Sequence, residues 1–412
     1  MKSRQGAGSA SRLALFGGAP AFAEALHVGR PNIGDRARFA RRIEVMLDRR
    51  WLTNNGAYVR ELESRIARLL GVQHCVAVCN GTTALQIMAK ACGLGGEIIM
   101  PSFTFVATAH ALEWQGVTPV FCDIDPATHN IDPAKVEELI TSETSAILGV
   151  HVWGRACHVE ALERVALRHG LSLCFDAAHA FACSAAGRHM IGGGGVAEAF
   201  SFHATKFFNT FEGGAITTND DEVAARCRRM RDFGFAGVDR VESLGINGKM
   251  NEASAAMGLT NLEALQTFID ANERNHRLYR SGLEGIPGLA LVQYPQGERC
   301  NFQYVVIEVD ESASALGRDE LQSVLHAENV LARRYFFPGC HQMPPYRDRV
   351  LRAPLAATDR LTGRTLALPT GTAVTAQDVA DVCGIIRLAV SDAPAVKAAV
   401  AASTAGDTVV AP

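Results

Sequence analysis

"HCVAVCNGTTALQIMAKACG", residues 74–93, is the stretch that decides the fold of this chain. Its first six residues form a short apolar run rich in valine, which is typical of a buried β-strand. Leu85, Met88, Ala89 and Cys92 then recur at the i, i+3, i+4, i+7 spacing of an amphipathic helix. The stretch therefore predicts a buried strand that passes directly into a helix, which is the repeating unit of an α/β sheet.

The same unit recurs outward along the chain, because further apolar runs of strand length alternate with helical patterns. These runs are "EIIM" (97–100), "PVFCDI" (119–124), "AILGVHV" (146–152), "LSLCF" (171–175), "AEAFSF" (197–202) and "AITTN" (215–219). Near-continuous apolar strands are typical of parallel sheets that carry helices on both faces. The sequence therefore predicts an α/β large domain whose seven strands form a mostly parallel sheet sandwiched by helices.

The pattern changes after a long helix near residues 252–270. "NFQYVVIEV" (301–309) and the helical patterns that follow it indicate a smaller C-terminal α+β domain. We therefore expect four segments. These are a disordered N-terminus at 1–12, a large domain at 13–265, a small domain at 266–390 and a disordered alanine-rich tail at 391–412.

Composition excludes several classes of protein. The chain has 412 residues, 48% of them hydrophobic, and a formal net charge of −3. That balance gives no electrostatic reason to expect nucleic acid or an anionic membrane as a partner, and no apolar run approaches the ~20 residues of a membrane span. The eleven cysteines include no CxxC pair, and no HxxxH or HExxH spacing occurs. We expect reduced thiols in a cytoplasmic protein and no metal site.

Three polar features fall at the carboxyl ends of predicted strands, where ligands of α/β sheets gather. "NGTTAL" (80–85) opens a helix whose first amides suit a phosphate, although a plain helix cap would look the same. Asp176 directly follows one strand, where an acid can also be simply a helix cap. Lys206 follows the next strand, where a lysine can also simply extend its amine to solvent.

The combination is more specific than its members. A phosphate cradle, an acid and a lysine, in that chain order on one parallel sheet, are what pyridoxal 5'-phosphate requires. Lys206 would form the Schiff base with the aldehyde of the cofactor. Asp176 would keep the pyridine nitrogen protonated, which makes the ring an electron sink. The sequence thus predicts a pyridoxal-phosphate enzyme with Lys206 and Asp176 as its catalytic residues.

Longer stretches carry a resemblance to a known family. They are "WLTNNGAYVRELE" (51–63), "VCNGTTALQIM" (78–88), "PSFTFVATAHA" (101–111), "PVFCDIDPATHNIDP" (119–133), "FDAAHAF" (175–181), "SFHATKFFNTFEGGAITTND" (201–220) and "GINGKMNEASAAMG" (245–258). Through them nearly the whole chain resembles the DegT/DnrJ/StrS sugar-nucleotide aminotransferases. The resemblance implies the fold-type I architecture and a homodimer with shared active sites.

The resemblance also implies roles for particular residues. Lys206 would move protons between substrate and cofactor carbons. The expected cofactor contacts are Gly81, Thr82 and Ser201 at the phosphate, Phe105 on the ring face, His179 at the phenolic oxygen, and Asn251 reaching the phosphate of the neighbouring subunit. His179 is a departure, because the family commonly has glutamine there. The expected substrate contacts come from "WLTNNG" (51–56) and "RRYFFPGCHQMPPY" (333–346), namely Thr53, Asn54, Arg334, Tyr335 and His341.

The activity that the resemblance implies is transamination of a nucleotide-linked keto sugar. L-Glutamate is the expected donor, and dTDP-4-keto-6-deoxy-D-glucose is the expected acceptor because "NTFEGGAI" and the 333–346 segment look most like the 4-aminating branch. Such products enter antibiotic sugars or surface polysaccharides. The alternatives are a 3-aminotransferase acting on a dTDP-3-keto-6-deoxyhexose and a non-catalytic, pyridoxal-phosphate-binding regulatory protein. The dehydratase branch carries histidine in place of the lysine, so Lys206 favours amino transfer.

Overall fold

A computed structural model describes residues 13–185 and 189–406 of the chain, with side chains to residue 402. Residues 1–12 and 407–412, for which we expected disorder, lie outside the described residues. The strands are β1 (Leu26–His27), β2 (His74–Val78), β3 (Glu97–Pro101), β4 (Thr118–Cys122), β5 (Thr144–Val150), β6 (Ser172–Asp176), β7 (Ala197–Ser201), β8 (Gly214–Thr218), β9 (Leu289–Leu291), β10 (Val305–Val309), β11 (Val330–Leu331) and β12 (Thr365–Leu368).

Helices cover these strands. They are α1 (Arg36–Arg49), α2 (Ala57–Leu70), α3 (Gly81–Ala91), α4 (Ala107–Glu113), α5 (Pro133–Leu139), α6 (Val159–His169), α7 (Asp221–Met230), α8 (Glu252–Glu263), α9 (Leu265–Leu283), α10 (Glu311–Ser314), α11 (Arg318–Ala327), α12 (Ala356–Arg364), α13 (Ala376–Ser391) and α14 (Ala393–Gly406). Seven of them begin at a residue whose side chain caps the helix, such as Asn80 before α3, whose side chain accepts a hydrogen bond from the Thr83 amide.

The large domain is built on one central sheet. In the described part of the chain this sheet has seven strands in the order β2-β8-β7-β6-β5-β3-β4, and β8 alone runs antiparallel to its neighbours. Helices α3, α4 and α7 pack on one face, and α2, α5, α6 and α8 pack on the other. The predicted fold class is confirmed, and each of the seven predicted strands lies within two residues of its observed bounds.

The small domain has an antiparallel sheet in the order β12-β10-β9, packed against α9, α11 and α13. The N-terminal segment joins it, contrary to our expectation that the large domain starts at residue 13. Leu13 and Leu26 are buried in the small-domain core, and β1 pairs in parallel with β11. The reason is tertiary: β11 offers an unpaired edge, and Leu26 brings both a backbone partner and an apolar side chain to it.

The tail also differs from expectation. We expected disorder from residue 391, but α14 spans Ala393–Gly406, and Ala393 and Val396 are buried against the small domain. Alanine has the highest helix propensity, and the two buried side chains give the helix a surface to pack on. No helix among the described residues is long and apolar enough to cross a membrane, and those residues hold no cluster of three metal-ligating side chains.

Candidate active site

A cavity of about 640 Å³ opens at the carboxyl ends of the central strands. Its lining includes Gly81, Asp176 and Lys206, the three features that the sequence places at strand ends. Parallel strands bring their carboxyl ends to one edge of the sheet, so residues far apart in the chain converge there. The structure therefore brings the predicted catalytic core together.

The amino-terminal end of α3 forms one wall of this cavity. Asn80 caps the helix through the Thr83 amide at 2.8 Å, while the amides of Gly81 and Thr82 have no preceding turn to bond to. Gly81 lies so close to Ser201 that a Cβ at position 81 would stand 2.7 Å from the Ser201 Cβ. Two amides without a partner in the helix, the amino-terminal end of the helix dipole and Ser201 therefore lie at the same wall of the cavity, which suits a phosphate.

Asp176 lies at the end of β6 and is only 5% exposed. Burial raises the pKa of its carboxyl group. Two donors oppose this effect: the Ala178 amide donates to Oδ1 at 3.0 Å, and the Thr108 hydroxyl donates to Oδ2 at 2.8 Å. Thr104 lies 2.9 Å from the Thr108 hydroxyl and completes the chain of hydroxyl groups. The carboxylate is thus fixed in orientation and is available to a cationic partner in the cavity.

Lys206 is half-buried, because its side chain faces the cavity. Desolvation lowers the pKa of its amine from 10.5 to about 8, although Tyr335 and Asp176 act in the opposite direction. Its Nζ donates to the Tyr304 hydroxyl at 3.5 Å. A lysine that loses its proton this readily can attack an aldehyde near neutral pH.

His179 is buried, and its ring stacks on Trp153 and Phe336. Burial, together with the charge of Lys206, holds the pKa of the ring well below its usual range, so the imidazole is neutral. The Trp153 amide donates to Nδ1 at 3.3 Å. Nδ1 is therefore the acceptor, and the proton of the neutral ring sits on Nε2.

The remaining predicted cofactor residues divide into two groups. Phe105 lines the cavity and is 56% exposed, which leaves its ring free to cover a planar ligand. Asn251 does not line this cavity, because its side chain caps α8 by accepting a hydrogen bond from the Ser254 amide at 2.8 Å. The predicted role of Asn251 in the neighbouring subunit stays a prediction.

Two of the predicted substrate residues, Arg334 and His341, do not line this cavity, and their predicted contact with the substrate stays a prediction. Arg334 points away from it, donating to Asp319 at 3.0 Å and stacking on Phe337, so its charge is already partnered. His341 is buried between Ser102 and Asp359, with ring nitrogens 2.7 and 3.0 Å from their oxygens, so it holds two segments together.

Thr53 and Asn54 are also absent from the cavity lining. Both are exposed on a loop that packs on the start of α8, where the Glu252 amide donates to the Leu52 carbonyl at 2.9 Å. Tyr335 is the one predicted substrate residue that does line the cavity.

Sequence reasoning missed Thr108, which donates a hydrogen bond to Asp176 without lining the cavity itself, and two residues that do line it, Tyr304 and Arg333. Thr108 lies in α4, and the other two come from the small domain, close to β10 and β11. The "TFVATAHA" stretch that we quoted contains Thr108, but nothing in its spacing shows that its hydroxyl reaches Asp176. Arg333 lies in the 333–346 segment that we expected to contact the substrate but was not selected within it, and no sequence signal links Tyr304 to Lys206.

The cavity defines a class of protein. A helix start that suits a phosphate, a buried carboxylate oriented by two donors and a lysine of lowered pKa together fit pyridoxal phosphate. The chain belongs to the DegT/DnrJ/EryC1/StrS aminotransferase family, whose sequence pattern it matches over residues 34–387. This membership confirms the fold-type I class, the aminotransferase reaction and the pyridoxal-phosphate cofactor.

Individual relatives support the same conclusion. A crystal structure of DesI in the presence of its TDP-sugar product has 50% identity and a TM-score of 0.91, with 95% of this chain and 99% of that chain covered. The dTDP-4-amino-4,6-dideoxy-D-glucose transaminase of Shigella dysenteriae is 38% identical over 76% of this chain and 85% of its own length. GDP-perosamine synthase of Caulobacter vibrioides is 37% identical over 73% of this chain and 81% of its own.

Proposed function

We propose that this aminotransferase passes the amino group of L-glutamate to dTDP-4-keto-6-deoxy-D-glucose, giving dTDP-4-amino-4,6-dideoxy-D-glucose for the biosynthesis of deoxyaminosugars. The observation that carries the proposal is Lys206, whose amine has a pKa of about 8 and shares one cavity with the buried Asp176. The similarity to DesI and to the Shigella transaminase supports this choice of sugar nucleotide.

Each residue of the site has a defined task in this reaction. The amides of Gly81 and Thr82, with Ser201, would hold the phosphate of the cofactor, and Phe105 would cover one face of its ring. When bound, pyridoxal phosphate supplies an electron sink for the electron pair left behind when a substrate carbon loses its proton. Asp176 would support that sink by keeping a proton on the ring nitrogen.

Lys206 performs the proton transfers. Its amine is free at neutral pH to a useful extent, so it accepts a proton from one carbon and returns it to another in each half-reaction. Tyr304, 3.5 Å from Nζ, orients the amine. His179 would donate from Nε2 to the phenolic oxygen of the cofactor, and a glutamine at this position could donate likewise from its amide.

The homodimer with shared sites is part of the proposal. Thr53, Asn54 and Asn251 lie together at the start of α8 but outside the cavity of their own chain. Trp51 and Leu52 beside them are about half exposed, at 52% and 50%. An exposed apolar edge with three candidate binding residues suits a surface that completes the cavity of a second copy.

Two alternatives are less well supported. A 3-aminotransferase would use the same Lys206 and Asp176, so only the substrate separates it from our proposal. A non-catalytic regulatory protein would need no lysine of lowered pKa. We also propose a cytoplasmic location, because all eleven cysteines lie in the described ranges and are free thiols.

The experiment that tests the function follows the visible absorbance of the cofactor bound through Lys206. L-Glutamate is added to the loaded enzyme first, and then dTDP-4-keto-6-deoxy-D-glucose. We expect the absorbance to disappear with glutamate and to return with the keto sugar. Parallel samples receive the dTDP-3-keto isomer or the corresponding GDP-linked 4-keto sugar. The first tests which position of the sugar is aminated, and the second tests which nucleotide the enzyme accepts.

The Lys206→Ala variant is the control, since it should fold but lack both the absorbance and turnover. Return of the signal with the 3-keto isomer alone would replace the 4-position by the 3-position. Failure of glutamate to bleach the wild-type signal would remove glutamate as the donor.

A further inference from the structure

Arg333 is a positive charge without a carboxylate partner in the catalytic cavity. Its guanidinium lies over the Tyr335 ring at 5.3 Å from the centroid, and both residues line the cavity that holds Lys206. In the described ranges no carboxylate lies within 4.0 Å of this guanidinium, whereas the adjacent Arg334 is paired with Asp319 at 3.0 Å. An unpaired arginine at a cavity wall is available to an anionic ligand.

The backbone explains why the two adjacent arginines differ. Arg333 forms a two-way bridge with Ala367, in which its amide donates at 3.0 Å and its carbonyl accepts at 2.8 Å. Successive side chains of an extended segment point to opposite sides. The bridge therefore favours Arg333 as the arginine that lines the cavity containing Lys206, and it directs Arg334 toward Asp319.

A second cavity, of about 410 Å³, adjoins Arg333 in the small domain. Arg333 lines both cavities, and His27, His326 and Arg334 also line the second one. Among the described residues that line this second cavity there is no aspartate or glutamate. On the side of the second cavity, the lining around Arg333 therefore adds no carboxylate that would repel an anion, while Asp176 and Glu212 lie on the side of the catalytic cavity.

We propose that Arg333 binds the anionic oxygen group of a substrate during transamination. The inference rests on the proposed function, in which two anionic substrates use the site in turn: the carboxylates of L-glutamate and the diphosphate of the sugar nucleotide. Both groups match the planar fork of a guanidinium, which forms two parallel hydrogen bonds with either. The Tyr335 ring supports the guanidinium plane from below, so little conformational freedom is lost on binding.

The test compares Arg333→Gln with Arg334→Gln in the loaded enzyme. Each half-reaction is run separately in single turnovers, one over a range of L-glutamate concentrations and the other over a range of dTDP-4-keto-6-deoxy-D-glucose. We expect Arg333→Gln to raise the half-saturating concentration at least tenfold in one or both half-reactions, while the limiting rate falls less than threefold. Arg334→Gln removes the same charge one residue away and should change neither value more than about twofold.

The half-reaction that changes identifies the anion. A rise for glutamate alone assigns the carboxylate, a rise for the sugar alone assigns the diphosphate, and a rise for both assigns a shared subsite. An Arg333→Gln variant that matches Arg334→Gln in both half-reactions would overturn the inference. The wild-type enzyme, run alongside, separates this result from failure of the proposed function, in which neither substrate would change the absorbance.

Discussion

Lys206 gives the site a pH dependence that can be measured directly. Burial lowers the pKa of its amine to about 8, and the amine attacks the cofactor aldehyde only when it is neutral. The neutral fraction is about one tenth at pH 7 and rises as pH increases through the pKa. We therefore expect the rate at which cofactor-free protein gains visible absorbance, on mixing with pyridoxal phosphate, to rise with pH and to level off above about pH 8.

Asp176→Asn provides the matched comparison. The carboxylate raises the pKa of the lysine, so removing its charge should move the midpoint of the same profile to lower pH. A wild-type profile that keeps rising to the pKa of an ordinary lysine, 10.5, would mean that the amine is not desolvated.

The residues that sequence alone could predict are those fixed by their position at strand ends. Asp176 ends β6, and Lys206 follows β7, so the sheet determines their neighbourhood. Arg333 and Arg334 show the limit of this reasoning. Sequence indicated the 333–346 segment and selected Arg334, whereas Arg333 is the arginine that lines the cavity, because the side that each faces depends on a bridge to Ala367 in another strand.

The start of α3 is the element on which cofactor affinity depends. A methyl group at Gly81 would stand 2.7 Å from the Ser201 Cβ, closer than carbon atoms approach, so the helix start or Ser201 must move. We expect Gly81→Ala to lose about 1–3 kcal/mol of unfolding free energy through overpacking. We also expect it to bind pyridoxal phosphate at least tenfold more weakly. Absorbance titration and thermal unfolding measure the two effects.

Gly384→Ala in α13 is the control, because nothing lies within 4 Å of its Cβ position. Alanine there should be neutral or should stabilise the helix by about 0.5–1 kcal/mol, with cofactor affinity unchanged. Equal cofactor affinity in the two variants would show that the start of α3 does not hold the phosphate.

The helices and strands differ in how far their own local sequence determines whether they form. The seven central strands could be predicted because each is an apolar run buried on both faces. β1 has only two residues, and it exists because β11 supplies its hydrogen bonds. Helix α14 depends likewise on burial of Ala393 and Val396 against the small domain. Such contacts join distant parts of the chain, and local patterns do not record them.

At the scale of the whole molecule, the predicted binding residues fall on two separate surfaces. Gly81, Asp176 and Lys206 line the cavity, whereas Asn251 and the 51–56 loop lie elsewhere on the same chain. A twofold dimer reconciles the two surfaces if the second one completes the cavity of the partner. Each cavity would then need Lys206 from one chain and Asn251 from the other.

Mixed dimers test this arrangement. Asn251→Asp keeps an oxygen that caps α8, but it places a negative charge against the cofactor phosphate, so we expect it to bind cofactor weakly and to be inactive. Lys206→Ala is inactive because it lacks the amine that binds the cofactor.

If Asn251 serves the neighbouring cavity, subunit exchange between the two variants restores one intact site in each mixed dimer. Half of the dimers in an equal mixture are mixed, so about a quarter of wild-type activity should return. Two affinity tags and mass measurement confirm that mixed dimers have formed. If Asn251 acts within its own chain, every site in such a dimer carries a defect, and confirmed mixed dimers without activity would rule out the shared site.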